Sequence, residues 1–402
     1  MSALRNDVDP DGLLEFSVVF SDRSLNSMSA AFGDVMRDIS RILKKAYNAE
    51  ALAVVPGGGT YGMEAIARQF ASNKSTLIIR NGWFSYRWSQ ILDAGDIAKS
   101  QTIIKASQVS ENPLSPFAPA SIDKIKSEII SKKPDIVFCP HVETSAGIMV
   151  SDDFLKEVSD AVHEVGGLFV LDCVASGTLF VDMQKTGIDI LLTAPQKGWS
   201  ASPCAAAVMM SARGRELLNQ TKSSSFANDL KKWTEIMEIY EQGKHAYHAT
   251  MPTDSLRLFR NALLETEAIG LDNVKNAQIE LGKRCREVLE NYGYKSVASD
   301  DWKAPSVIVS YTDDIEIKTG KKFMQEGMQV AAGVPLECGE PEGFSTFRIG
   351  LFGLDKLTHI DRTVENLKKS FTCEQHFLGA AHDAKKTAAN IITFFIVLSP
   401  SS

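Results

Sequence analysis

The residues able to do chemistry in this chain are a glycine turn, an acid and a lysine. Pro56-Gly57-Gly58-Gly59-Thr60-Tyr61-Gly62 follows the apolar run Ala51–Val55. It precedes a helical pattern over Tyr61–Phe70, with Met63, Ile66, Ala67 and Phe70 on one face. A glycine turn there exposes backbone N–H groups at the positive end of a helix, which suits a phosphate or another anion. Gly57, Gly59 and Gly62 also fit the GxGxxG spacing of a dinucleotide site. Such a site calls for an acid about 20 residues on. The next strand ends Ile79-Arg80-Asn81 instead, so Arg80 leaves an NADP reading open, and a plain structural turn is open as well. Asp172 closes the apolar run Leu168–Asp172, where an acid faces either a ligand or a turn. Lys197 follows Ile188–Ala194 and Pro195-Gln196, and no charge occurs from Gly198 to Ala212. Partial desolvation there lowers a lysine's pKa and sharpens its amine as a nucleophile, whereas a loop lysine in water does neither.

Asp172 and Lys197 lie 25 residues apart, at the ends of successive strands. One cofactor needs all three parts. Pyridoxal phosphate takes a lysine for its Schiff base, a carboxylate for its pyridine nitrogen and a glycine turn for its phosphate.

The elements that must carry these residues alternate. Strands are predicted at Ala51–Val55, Ser75–Ile79, Asp135–Cys139, Leu168–Asp172 and Ile188–Ala194. Between them lie helical patterns, including Phe154–Val165 with Ser151 as its N-cap. This is the α/β pattern of a mostly parallel sheet between helices. Residues 213–245 read as polar and helical, and Ser255–Tyr292 as a long helix broken near Gly270. Strands at Ala304–Tyr311 and Thr346–Leu351 complete a smaller α+β unit. The expected division is a large domain over 1–260, a small domain over 261–371 and a tail over 372–402. Within the tail, Ile391–Leu398 is apolar, uncharged and prone to aggregate unless covered.

The chain resembles the class V aminotransferases of the fold type I pyridoxal-phosphate enzymes, nearest to the alanine–glyoxylate and serine–pyruvate branch. The resemblance runs from about residue 20 to residue 371. It rests on GGGTYGMEA (57–65), RNGWFSYRW (80–88), HVETSAG (141–147), LDCVAS (171–176), APQKGW (194–199), YHATMP (247–252) and FRIGLFG (347–353). It implies that Lys197 is the Schiff-base lysine and moves the proton between the substrate Cα and the cofactor. It implies that Asp172 partners the pyridine nitrogen, that Gly58, Gly59, Thr60 and Gln196 hold the phosphate, and that Trp83 stacks on the ring. Thr144 is implied to bond the phenolic oxygen. Tyr247 and Thr250 are implied to reach the phosphate of a neighbouring subunit, so a homodimer with shared sites is expected. Arg348 is implied to grip the substrate carboxylate in a bidentate pair. A Pro-Gly-Pro segment usual near the N-terminus of this branch is replaced by Glu15–Ser24, which leaves the amino donor open.

The expected activity is ping-pong transfer of an amino group from a small L-amino acid, such as alanine or serine, to a 2-oxo acid such as glyoxylate or pyruvate. A pyridoxal-phosphate lyase or cysteine desulfurase is the alternative, with Cys338 ten residues before Arg348. An NADP-dependent oxidoreductase is a more distant one. The 402 residues carry 43 Lys and Arg against 50 Asp and Glu, a net charge of −7, with 44% hydrophobic residues. That excludes a disordered chain and argues against nucleic-acid binding. Six scattered cysteines with no CxxC pair argue against a zinc site and for a reducing, cytoplasmic-type compartment. The N-terminus has acids where a secretory signal needs bases, no run is long enough to span a membrane, and the last residues are Ser-Pro-Ser-Ser rather than a peroxisomal Ser-Lys-Leu.

Overall fold

The computed structural model describes residues 14–372. The 372–402 tail with its Ile391–Leu398 run, and the first 13 residues, lie outside the described residues, apart from Thr372, which ends the last helix.

The apolar runs become the strands of one sheet. They are β1 (Ala51–Pro56), β2 (Ser75–Arg80), β3 (Ser100–Lys105), β4 (Ile136–Pro140), β5 (Leu168–Asp172), β6 (Ile190–Thr193) and β7 (Ala205–Met210). Their order is β1-β7-β6-β5-β4-β2-β3. Every internal pairing is parallel except those of β7, which runs antiparallel between β1 and β6. The central strands read as unbroken apolar runs because helices cover both faces, so no residue needs to face water. β7 was not foreseen in the sequence. Its Ala-Ala-Ala-Val-Met-Met composition has little strand preference, and burial rather than propensity makes it a strand.

The helices follow their caps. α1 (Ala30–Tyr47) starts where Ser29 accepts a hydrogen bond from the Phe32 amide, and it buries Phe32, Val35, Met36, Ile39 and Leu43. α2 (Gly59–Phe70) follows β1 directly, and α3 (Trp83–Ala94) follows β2. α4 (Asp152–Glu164) is capped by Ser151 as expected. The polar stretch after residue 210 forms helices at Ala212–Asn219 and Leu230–Glu241. The long helical region is two helices, Thr253–Ile269 and Leu271–Asn291, parted at Gly270, whose φ of 101° suits glycine.

Leu256, Phe259 and Leu263 still pack into the core of the large sheet. From Val274 onward a second core gathers around a three-stranded antiparallel sheet of β8 (Val307–Tyr311), β9 (Ala331–Ala332) and β10 (Thr346–Gly350), in the order β8-β10-β9. A third apolar cluster joins the two regions, with Val142, Ala146 and Ile148 on one side and Val307, Val309 and Leu336 on the other.

Candidate active site

One pocket lies at the C-terminal edge of the large sheet, where an α/β sheet holds its ligands. Gly59, Thr60, Asp172, Thr144, Gln196 and Lys197 line it together, with Met63, Phe84, Arg87, Val142, Val174 and Ala175. Residues from five separate motifs thus meet at one place.

The glycine turn works through packing as well as conformation. Gly57 has φ of 121°, a region that L side chains rarely adopt. A Cβ on Gly62 would come 2.5 Å from Ala206 Cβ and 2.6 Å from Leu192 Cδ1, so only glycine lets α2 lie this close to the sheet. α2 begins at Gly59 with Gly58 as its N-cap and no side-chain cap. The amides of Gly59 and Thr60, which line the pocket, therefore have no partner within the helix. Arg87 donates from Nη1 to Thr60 Oγ1 at 3.1 Å, which brings a guanidinium to the same end of the helix.

Asp172 ends β5, and its Oδ1 accepts the Val174 N–H at 2.9 Å. Burial raises its pKa to about 6, with Glu143 pushing the same way and the Val174 amide and Lys197 opposing. Lys197 is half-buried. Desolvation lowers its pKa, opposed by Asp172 and Glu143. Its Nζ lies 5.7 Å from the Phe84 ring centroid and 5.6 Å from that of Phe352. Gly198, the next residue, passes against Gly177, where a Cβ would come 2.0 Å from the Gly177 carbonyl oxygen. Arg348, on β10, brings its Cζ 5.5 Å from the Phe84 centroid, and its Nε donates to the Ala332 carbonyl at 2.8 Å. Arg348 does not line the pocket itself; the smaller sheet brings its guanidinium to the Phe84 ring, which does.

One expectation needs correction. Trp83 does not line the pocket, and Phe84 does. Trp83 donates its backbone N–H to Ser145 Oγ at 2.9 Å, and its ring meets Tyr86 edge-on. Side chains at consecutive helical positions point about 100° apart. A shift of one residue at a helix start therefore decides which aromatic faces the pocket. Tyr247 and Thr250, expected to serve a neighbouring subunit's site, lie outside this pocket and are exposed. Tyr247 is 60% exposed, and its hydroxyl pairs with that of Thr250 at 3.1 Å.

Phe84, Arg87, Glu143 and Phe352 were not singled out from the sequence. Phe84 and Arg87 take positions two and five of the helix that follows Gly82 and so share a face, but their motif does not mark where that helix starts. Arg80, held open for a nucleotide 2′-phosphate, is buried instead. Its guanidinium donates to Ser89 Oγ at 2.9 Å and to the Glu337 carbonyl at 3.3 Å, and lies on the Tyr86 ring at 4.5 Å. Among the described residues there is no cluster of three or more potential metal ligands, and no helix is long and apolar enough to cross a membrane.

The residues present fit pyridoxal phosphate. Thr144 Oγ1 is buried in the pocket wall without a hydrogen-bond partner, a cost that a polar ligand atom would remove. An uncapped helix end, an amine and a buried carboxylate surround the same space.

A sheet of this topology, with a lysine and an aspartate at its ligand edge, defines a fold type I α/β enzyme. The model of the family "aminotransferase class-V" matches residues 16–348, and the chain belongs to that family. Alanine–glyoxylate aminotransferase 1 of Saccharomyces cerevisiae is 28% identical over 272 residues, covering 65% of this chain and 68% of that one. The rat alanine–glyoxylate aminotransferase is 24% identical over 359 residues, covering 87% and 82%. Among solved structures, alanine–glyoxylate aminotransferase from Nostoc superposes with a TM-score of 0.72 at 23% identity, covering 86% of this chain and 88% of that one. The protein is an enzyme of the aminotransferase class.

Proposed function

We propose that the protein binds pyridoxal phosphate through Lys197 and moves an amino group from a small L-amino acid to glyoxylate or pyruvate. The convergence of Lys197, Asp172 and the unpartnered Thr144 hydroxyl on one pocket carries this reading. The named relatives add support, because those acting on alanine and on 2-aminoethylphosphonate carry glyoxylate or pyruvate as the second partner in their names.

When bound, the cofactor supplies an aldehyde for amine exchange and a ring that takes up the electron pair released at the substrate Cα. The chain's residues do the rest. The amides at Gly58, Gly59 and Thr60, with Arg87 and Gln196 beside them, would hold the phosphate. Thr144 Oγ1 would donate to the phenolic oxygen, and the Phe84 ring would cover one face. Asp172 would hold a proton on the ring nitrogen as an ion pair, for which its raised pKa is reset by the opposite charge. Lys197 has a lowered pKa, so its amine is more readily neutral and able to take the Cα proton. Arg348 would fix the substrate carboxylate and thereby orient Cα. Tyr247 and Thr250, exposed here, are assigned to the phosphate of a second subunit in a homodimer.

Cys338 does not favour the lyase or desulfurase alternative. Its thiol donates to the Arg80 carbonyl at 3.4 Å, and burial pushes its pKa up to about 12, so it is held away from the reactive thiolate.

The test is the absorption spectrum of the purified protein. A yellow band that bleaches with L-alanine or L-serine and returns with glyoxylate supports both half-reactions. A Lys197→Ala control should show neither change. A protein that stays colourless with added pyridoxal phosphate would sink the reading.

A further inference from the structure

We propose that Glu143 is the positioning residue of this site: its buried carboxylate pins the first turn of α3, and with it Phe84 and Arg87, against the pocket. The functional consequence rests on the cofactor reading above.

Glu143 is fully buried, at 0% exposure. Its carboxylate accepts from the Phe84 N–H at 3.2 Å, the Ser85 N–H at 2.9 Å and Ser85 Oγ at 2.8 Å. It also accepts from the Ser145 N–H at 3.0 Å and Ser145 Oγ at 2.8 Å. Ser145 Oγ in turn accepts the Trp83 N–H at 2.9 Å. The three leading amides of α3 are thus satisfied from a loop some 60 residues away in sequence rather than by a local cap. These partners are amides and hydroxyls, so the charge is met by a helix N-terminus.

Two observations separate this from an ordinary cap. Gly82 is shaped for it: a Cβ there would come 2.1 Å from Ser145 Oγ and 2.7 Å from Glu143 Cγ. The loop that carries Glu143 also carries Thr144, which lines the pocket and whose buried hydroxyl has no hydrogen-bond partner. One carboxylate therefore fixes a wall residue on its own loop and two more on α3. A neutral serine or asparagine caps a helix without the desolvation cost of a buried ion. The charge has a further use, because its field acts on Lys197 together with those of Asp172, Arg348 and Arg87.

The experiment compares wild type with Glu143→Gln, first without cofactor. Competitive acetylation across pH reads the Lys197 pKa, and hydrogen exchange reads the amides of α3. Loss of the negative charge should lower the Lys197 pKa by about half a unit to one unit. Exchange at Phe84 and Ser85 should quicken by about tenfold or more while the rest of the sheet keeps its protection. Added pyridoxal phosphate should then bind about tenfold more weakly. Ser145→Ala keeps the charge, so it should quicken exchange at Trp83 and leave the Lys197 pKa in place. A Glu143→Gln protein that only melts earlier, with both local readouts unchanged, overturns the proposal. If that variant does not fold, Glu143→Asp decides: quicker exchange at Phe84 and Ser85 with an unmoved Lys197 pKa supports it, and unchanged exchange overturns it. A wild type that takes up no cofactor sinks the cofactor reading alone, since the two cofactor-free readouts still judge Glu143.

Discussion

Lys197 and Arg348 sit over the same aromatic ring, with Nζ 5.7 Å and Cζ 5.5 Å from the centroid of Phe84. One cation comes from the large sheet and the other from the small one. The ring's negative face steadies both without neutralising either. On the proposed function, Arg348 would hold the substrate carboxylate and the neutral Lys197 amine would act at the carbon beside it. Arg348→Gln should therefore lower kcat/KM for amino acids by about 10- to 100-fold, mostly through KM. Arg348→Lys should recover little, since it cannot make the bidentate pair. Steady-state kinetics with L-alanine would check both.

Lys197 should be the residue whose loss is least tolerated. Lys197→Ala should reduce transamination by at least about 10³-fold, as expected for removal of both the attachment point and the proton-transfer base. Added alkylamines restoring part of the rate would identify the proton transfer as the missing step.

Phe84 and Trp83 give a contrast between neighbours. Phe84→Leu should weaken cofactor binding by about 3- to 10-fold, the worth of one aromatic face. Trp83→Leu should instead act on stability, through its contact with Tyr86. Equilibrium dialysis against pyridoxal phosphate distinguishes them, and a larger effect at Trp83 would restore the residue first assigned from the sequence.

Asp172 should make the cofactor-free protein sensitive to mild acid in an unusual direction. Its pKa is about 6 folded against 3.8 as a free group. Between those values the folded state binds more protons than the unfolded one. Stability therefore falls as pH rises through that window, and this contribution levels off above it. Asp172→Asn removes the titration. Allowing for partial exposure, the variant should gain about 1–3 kcal/mol over wild type above the window and nothing below it. Melting curves at both ends of the window would show the difference appear only at the upper one.

Tyr247 predicts the oligomer. If its hydroxyl serves a neighbour's site, mixing Tyr247→Phe protein with Lys197→Ala protein should yield hybrid dimers. Half of their sites would lack both groups and half would have both. Recovery of activity on mixing, read with light scattering for the dimer mass, would confirm shared sites.

The strands that end in chemistry were legible because buried parallel strands are written as apolar runs. Leu168–Asp172 matches the observed strand residue for residue, and Ser151 caps its helix as read. β7 was hidden because alanine and methionine favour helices, and only its neighbours in the sheet make it extended. Lys197 and Asp172 were visible because each interrupts or ends an apolar stretch. Phe84 was not, since nothing in a list of residues says where a helix begins to within one position. Glu143 was hidden for another reason. Its partners are backbone amides, which leave no trace in side-chain types.

The apolar cluster of Val142, Ala146 and Ile148 with Val307, Val309 and Leu336 has a mechanical consequence. It is an oily joint beside the pocket, with the loop of Thr144 on one side and the sheet of Arg348 on the other. Rotation of the small sheet would have to slide across this joint without exposing it, because exposed apolar area costs about 25 cal/mol per Å². Small sliding adjustments are therefore cheap and wide hinge opening is not. On the proposed function, substrate would enter by a route that leaves the joint closed, and the Arg348 guanidinium would stay within a short range of the Lys197 amine.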